Sequence, residues 1–151
     1  MTRYRCFSVF LVRAVLPLVS ALAMPAFADE LVSISIENAW LRAVPPVSTT
    51  TAAYFTATNN SDGAMHITGV STAIAGAAEM HDMSPNEDGT RSMRRIKTLE
   101  LAPNESVTFA PGGMHLMLFR LSHVPVEGEI VSICLLTDDA TEICQDFATK
   151  K

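Results

Sequence analysis

The chain has 151 residues, 48% hydrophobic and 18% charged, which fits one folded domain and excludes compositional disorder. Its formal net charge is −5, and residues 1–28 hold three of its eleven basic residues (Arg3, Arg5, Arg13) and no acid. The remaining 123 residues set eight bases against sixteen acids, a net −8 that disfavours nucleic acid and anionic lipid as partners.

The basic start is followed by an apolar stretch from Ala14 to Met24 and then by Ala26-Phe27-Ala28. This three-part pattern is that of a secretory signal, with cleavage expected between Ala28 and Asp29. The apolar run is well short of the ~20 residues a spanning helix needs. Cys6 lies too early for a lipid-anchoring cysteine. We therefore expect a leader over 1–28 and one exported domain over 29–151, without a membrane span after cleavage and located in the periplasm.

Short strands are expected over 33–37, 52–58, 64–70, 77–83, 93–101, 105–110, 114–120, 129–136 and 141–147. Gly-, Pro- and Asn-rich turns separate them, among them Asn59-Asn60-Ser61-Asp62-Gly63 and Pro111-Gly112-Gly113. Such spacing argues for an all-β, antiparallel Greek-key sandwich or barrel. The Lys150-Lys151 end is expected to fray. Near the C-terminus, Thr137-Asp138-Asp139-Ala140-Thr141 reads as a hairpin turn. Centred on Asp139, it sets Cys134 opposite Cys144, within reach of a disulfide that would contribute about 3 kcal/mol. The rival reading, a pair of metal thiolates, is disfavoured in an oxidising compartment.

The chemical signal lies in methionine and histidine. Beyond the leader there are six Met and four His, and two His-x-Met pairs stand in expected strands: His81-Asp82-Met83 and His115-Leu116-Met117. Residues i and i+2 project from one strand face, so each pair offers an imidazole and a thioether together. In the second pair, Met114, Leu116 and Leu118 take the core face, leaving His115 and Met117 to the outside or a rim. A thioether is a soft, neutral donor that suits Cu(I) and serves Zn²⁺, Mg²⁺ and Ca²⁺ poorly. It has no proton to lose, so acidification weakens such a site only through its histidines. Met80 and Met114 read as packing. His66 and His123 have no partner at ligand spacing. Arg91, Arg94 and Arg95 form a basic cluster that is either a solvated face or a dock for an acidic partner. There is no nucleophile elbow, HExxH motif or framed acid pair, so catalysis is not expected.

His81, ten residues (83–92), Met93, twenty-one residues (94–114) and His115-Leu116-Met117 resemble the signature of the periplasmic copper chaperones of the PCu(A)C family. Ala39-Trp40-Leu41-Arg42, Pro45-Pro46, Ala52-Ala53-Tyr54-Phe55 and Pro111-Gly112-Gly113 extend the resemblance over nearly the whole exported chain. Asp82 stands where some members carry Met, which makes Met83 an additional candidate. Cys134 and Cys144 are no part of the family's core pattern. The resemblance implies a cupredoxin-like sandwich binding one Cu(I) through His81, Met93, His115 and Met117. It further implies delivery by ligand exchange, to the Cu(A) domain of cytochrome c oxidase or to other periplasmic copper chaperones. The alternative is a copper-sequestering protein with no delivery step, which would use the same ligands. A blue-copper electron carrier needs a Cys thiolate, and no Cys adjoins the motif.

Overall fold

The computed structural model describes residues 33–86 and 88–151; Cys6, the expected leader and its cleavage point lie outside them. Ten strands form in chain order: β1 (Ile34–Arg42), β2 (Thr50–Asn59), β3 (Met65–Ser71), β4 (Ala75–Pro85), β5 (Arg91–Ile96), β6 (Leu99–Leu101), β7 (Ser106–Phe109), β8 (His115–Leu121), β9 (Ile130–Thr137) and β10 (Glu142–Lys150). Among the described residues there is no helix.

The hydrogen-bonded order is β5-β4-β8-β2-β1-β10-β9-β3-β6. Along the other edge of β2, β8 pairs with residues 50–53 and β7 with 55–58. β3 and β4 lie far apart in this order yet touch, because the sheet wraps around one core. Phe55 of β2 is the hub of that core. Its ring stacks on Phe109 at 4.4 Å and meets the edge of Phe147 at 5.7 Å. Leu41, Leu116, Leu118, Ile133 and Leu135 are fully buried around it, each worth about 1.5–3 kcal/mol relative to exposure.

Four features differ from the expectation. The sheet is mixed, not wholly antiparallel, since the first and last strands run side by side in the same direction, with Trp40 opposite Ala148 and Arg42 opposite Lys150. That pairing also orders the C-terminal end expected to fray: Ala43 N–H donates to the Lys150 carbonyl at 2.6 Å, and Thr149 is buried. The stretch 93–101 is two strands, because β5 pairs with β4 whereas β6 crosses to β3.

The fourth difference shapes the site. β1 runs on to Arg42 through a one-residue bulge between Glu37 and Trp40. Asn38 there adopts a φ of 54°, a left-handed conformation that Asn tolerates better than most residues. Before the bulge Ile34 and Ile36 pack on the core; after it Leu41 does. An extra residue exchanges the two faces. Trp40 and Arg42 therefore turn to the side opposite the core, where Trp40 meets Tyr54 with ring centroids 4.5 Å apart.

The β9–β10 hairpin has Cys144 opposite Cys134, and the two are joined by a disulfide. Asp139 Oδ1 accepts the Thr141 N–H at 3.0 Å within the turn. These contacts, with Thr137 first, hold its carboxyl below the usual carboxylate range.

Candidate metal centre

β4 sends Met80 into the core, so alternation turns Glu79, His81 and Met83 to the other face. The registers of its neighbours extend that face. β5 sets Met93 opposite Met83 and Arg95 opposite His81. β8 sets His115 opposite His81 and Met117 opposite Glu79. β2 adds Ala52 beside Met117. Directly opposed Cβ atoms lie about 5 Å apart, so the arrangement is compact although its histidines and methionines run from His81 to Met117 in the chain.

A surface recess of about 320 Å³ opens on this face, lined by Arg42, Ala52, Tyr54, Met83, Met93, Gly112, His115 and Met117. Two small residues make room for it. Ala52 leaves space beside Met117. Gly112 takes a φ of 82° that a larger residue would strain to adopt, in the turn between β7 and β8.

His115 is only 8% exposed. Its Nδ1 lies 2.9 Å from the Gly113 carbonyl, so Nδ1–H donates there and Nε2 keeps its lone pair. His81 does not line the recess but stands beside it, its ring centroid 6.0 Å from that of His115. Its side chain is 12% exposed, and Nε2 lies 3.0 Å from Glu79 Oε2. Glu79 is held in turn by Arg95 Nη1 at 2.9 Å. With Nε2–H donating to the carboxylate, the acceptor nitrogen is Nδ1, which is buried and has no hydrogen-bond partner among the described residues. Met93 is half exposed and Met117 partly buried. Three thioethers and an imidazole thus share the recess, with a second imidazole at its side, and among the described residues no carboxylate lines it.

The remaining candidates fall elsewhere. Asp82 turns to the opposite face of β4, where it accepts a 2.6 Å hydrogen bond from Ser84 Oγ. Arg94, opposite Asp82, shares that face and so does not join Arg91 and Arg95. His66 lies opposite Glu100 on β3 and β6, and His123 Nε2 meets Glu129 at 2.7 Å in an exposed contact. Met80 is buried, and Met114 packs partly buried against the core. Cys134, Glu142 and Cys144 bring ligand-type atoms together, but the disulfide already uses both sulfurs. Sequence reasoning gave no role to Arg42 and Tyr54, which line the recess. The signal that could have found Arg42 is Asn38, a residue suited to a bulge in mid-strand.

The family model for LpqE-like proteins, described as "Putative lipoprotein LpqE-like", matches residues 34–148; this is the PCuAC family. A relative from Leifsonia xyli subsp. xyli, "Putative lipoprotein Lxx21020", is 25% identical over 109 residues, which is 72% of this chain and 64% of that protein. Among solved structures, the copper-bound PCuAC domain from PmoF2 is similar with a TM-score of 0.65 and 28% identity, covering 78% of this chain and 92% of that one. The CuI form of DR1885 from Deinococcus radiodurans is similar with a TM-score of 0.61 and 28% identity, covering 87% and 82%. The all-β fold is the cupredoxin-like fold of these neighbours.

Proposed function

Since this chain belongs to the LpqE-like, or PCuAC, family, we propose that it is an exported copper chaperone that carries one Cu(I) in the Met- and His-lined recess. The observation that supports this most is the convergence of Met83, Met93, His115 and Met117 on one recess that no carboxylate lines among the described residues. Such a donor set suits a soft monovalent cation and gives hard divalent ions nothing to hold. His115 and Met117 from β8 and Met93 from β5 are the proposed ligands, together with His81. The fit of His81 rests on its buried, unpartnered Nδ1, a lone pair that a metal would satisfy. The carboxylate of Glu79 behind the ring orients it. Position 82 faces away, so Met83 is the residue after His81 that can add a thioether.

Release follows from the same chemistry. All the donors are neutral and individually weak, and Met93 is half exposed. A ligand of an acceptor can attach to copper before Met93 leaves. Copper remains Cu(I) throughout and no electron moves. The Cu(A) domain of cytochrome c oxidase is the proposed acceptor, and the periplasm the proposed compartment, after cleavage behind Ala28. The Cys134–Cys144 disulfide fits an oxidising location, and a thioether, unlike a thiolate, cannot be lost there to a disulfide.

The test is Cu(I) competition titration of the Met93→Ala, Met117→Ala double variant. Affinity is expected to fall at least about a hundredfold, equivalent to about 2.8 kcal/mol. Undiminished uptake would refute the assignment.

A further inference from the structure

Guanidinium groups flank a recess proposed for a cation. Arg42 lines it, its Cζ 5.4 Å from the centre of the Tyr54 ring. Arg91, on the same face of β5 as Met93, donates from Nη2 to the Met83 carbonyl at 3.3 Å. Its Nη1 lies beside Gly112, 3.7 Å from where a Cβ would stand. Arg95 extends from the same face, 59% exposed, and Glu79 binds it. Among the described residues, neither Arg42 nor Arg91 forms a salt bridge. Among the described residues, three positive charges thus meet one carboxylate here, in a chain whose exported part has twice as many acids as bases.

Cation–cation repulsion makes such a collar unfavourable for holding Cu(I). A collar that opposes retention and flanks a half-exposed ligand is instead suited to recognition at the moment of release. We propose that Arg42, Arg91 and Arg95 form the docking surface for the copper-accepting protein, whose facing surface is acidic. This rests on the copper-carrier reading. Pairing with acidic side chains of the acceptor steers encounter and brings the acceptor's ligands over Met93. It also neutralises the collar. The rest of the molecule is strongly acidic, so an extended polyanion such as nucleic acid or an anionic bilayer is repelled once it reaches past the collar. A compact acidic patch is not.

The experiment follows Cu(I) transfer by stopped flow from the loaded full chain to an apo Cu(A) domain with an acidic face around its metal loop. Comparison is made between about 20 and 300 mM salt, where screening of exposed charges increases strongly. We expect transfer to slow about tenfold at the higher salt, and about tenfold in Arg91→Glu and in Arg42→Glu at the lower salt. Arg91→Lys should keep the rate. Arg94→Glu, the same charge change on the opposite face of the same strand, should also keep it. The two collar reversals should hold Cu(I) more tightly in competition titration, since a repulsive charge becomes an attractive one. Transfer that ignores salt and collar charge overturns the proposal, as does equal slowing by Arg94→Glu. Slowing by sulfate beyond that of chloride at equal ionic strength also overturns it, by assigning the collar to small anions. If the unaltered chain takes up no Cu(I), the copper reading falls and the collar with it; uptake with charge-independent transfer removes the collar alone.

Discussion

At the scale of single residues, the donors differ in how they are held. Nδ1 of His115 is committed to the Gly113 carbonyl, which fixes its tautomer through the backbone and leaves Nε2 for the recess. His81 relies on a side chain, Glu79, that is itself held by Arg95. Glu79→Gln keeps the shape but loses the charge that favours the Nε2–H form of His81. Outer partners of metal-bound histidines contribute about ten- to a hundredfold in affinity. We predict a loss in that range for Cu(I), read by competition titration, with little change in thermal stability. An unchanged affinity would mean that His81 lies outside the copper's coordination sphere. That His115 and Met117 share a face was readable from their spacing. The same spacing put Met83 on the face of His81, but its place opposite Met93 was not readable, because it depends on the register of β5, and a strand sequence does not reveal its neighbour's register.

At the scale of elements, β8 has two faces with two tasks. Leu116 and Leu118 anchor it in the core, while His115 and Met117 face the recess. Leu116→Ala should cost about 2–5 kcal/mol by chemical denaturation, and it should weaken Cu(I) binding by loosening the strand that positions two proposed ligands. The β9–β10 hairpin provides the contrast. Its disulfide closes a separation of 10 residues and lies outside the recess. Cys134→Ala with Cys144→Ala should lower stability by about 3 kcal/mol while Cu(I) affinity holds. Asp139 in the turn of that hairpin has its carboxyl held below the ordinary range. Its contribution is therefore present above the ordinary carboxylate range and is lost as pH falls through the lowered value. Asp139→Asn should accordingly flatten the acid limb of a melting-temperature profile. The hairpin and its register followed from local signals, a polar turn flanked by alternating strands. The extension of β1 did not, since the bulge at Asn38 breaks the two-residue period by which strands are recognised. The division between β5 and β6 was hidden for a related reason: the chain stays extended while its partner changes.

At the scale of the whole molecule, the all-β class was legible from the regular spacing of turns, and the mixed topology was not. Parallel pairing of β1 with β10 joins the two ends of the domain, a contact without any local signature. It also gives the C-terminal residues a role, so removing residues 148–151 should lower the melting temperature by several degrees and not merely trim a loose end. Export is open to a separate check: the mature N-terminus, read by mass spectrometry, is expected at Asp29. The central claim is that soft sulfur and imidazole converge on one monovalent copper ion, and X-ray absorption of the Cu(I)-loaded chain tests it most directly. We expect a first shell that mixes thioether sulfur from at least Met93 and Met117 with imidazole nitrogen, and a loss of the sulfur contribution when both methionines are replaced. A shell of nitrogen and oxygen alone, or a sulfur signal that survives that replacement, would contradict it.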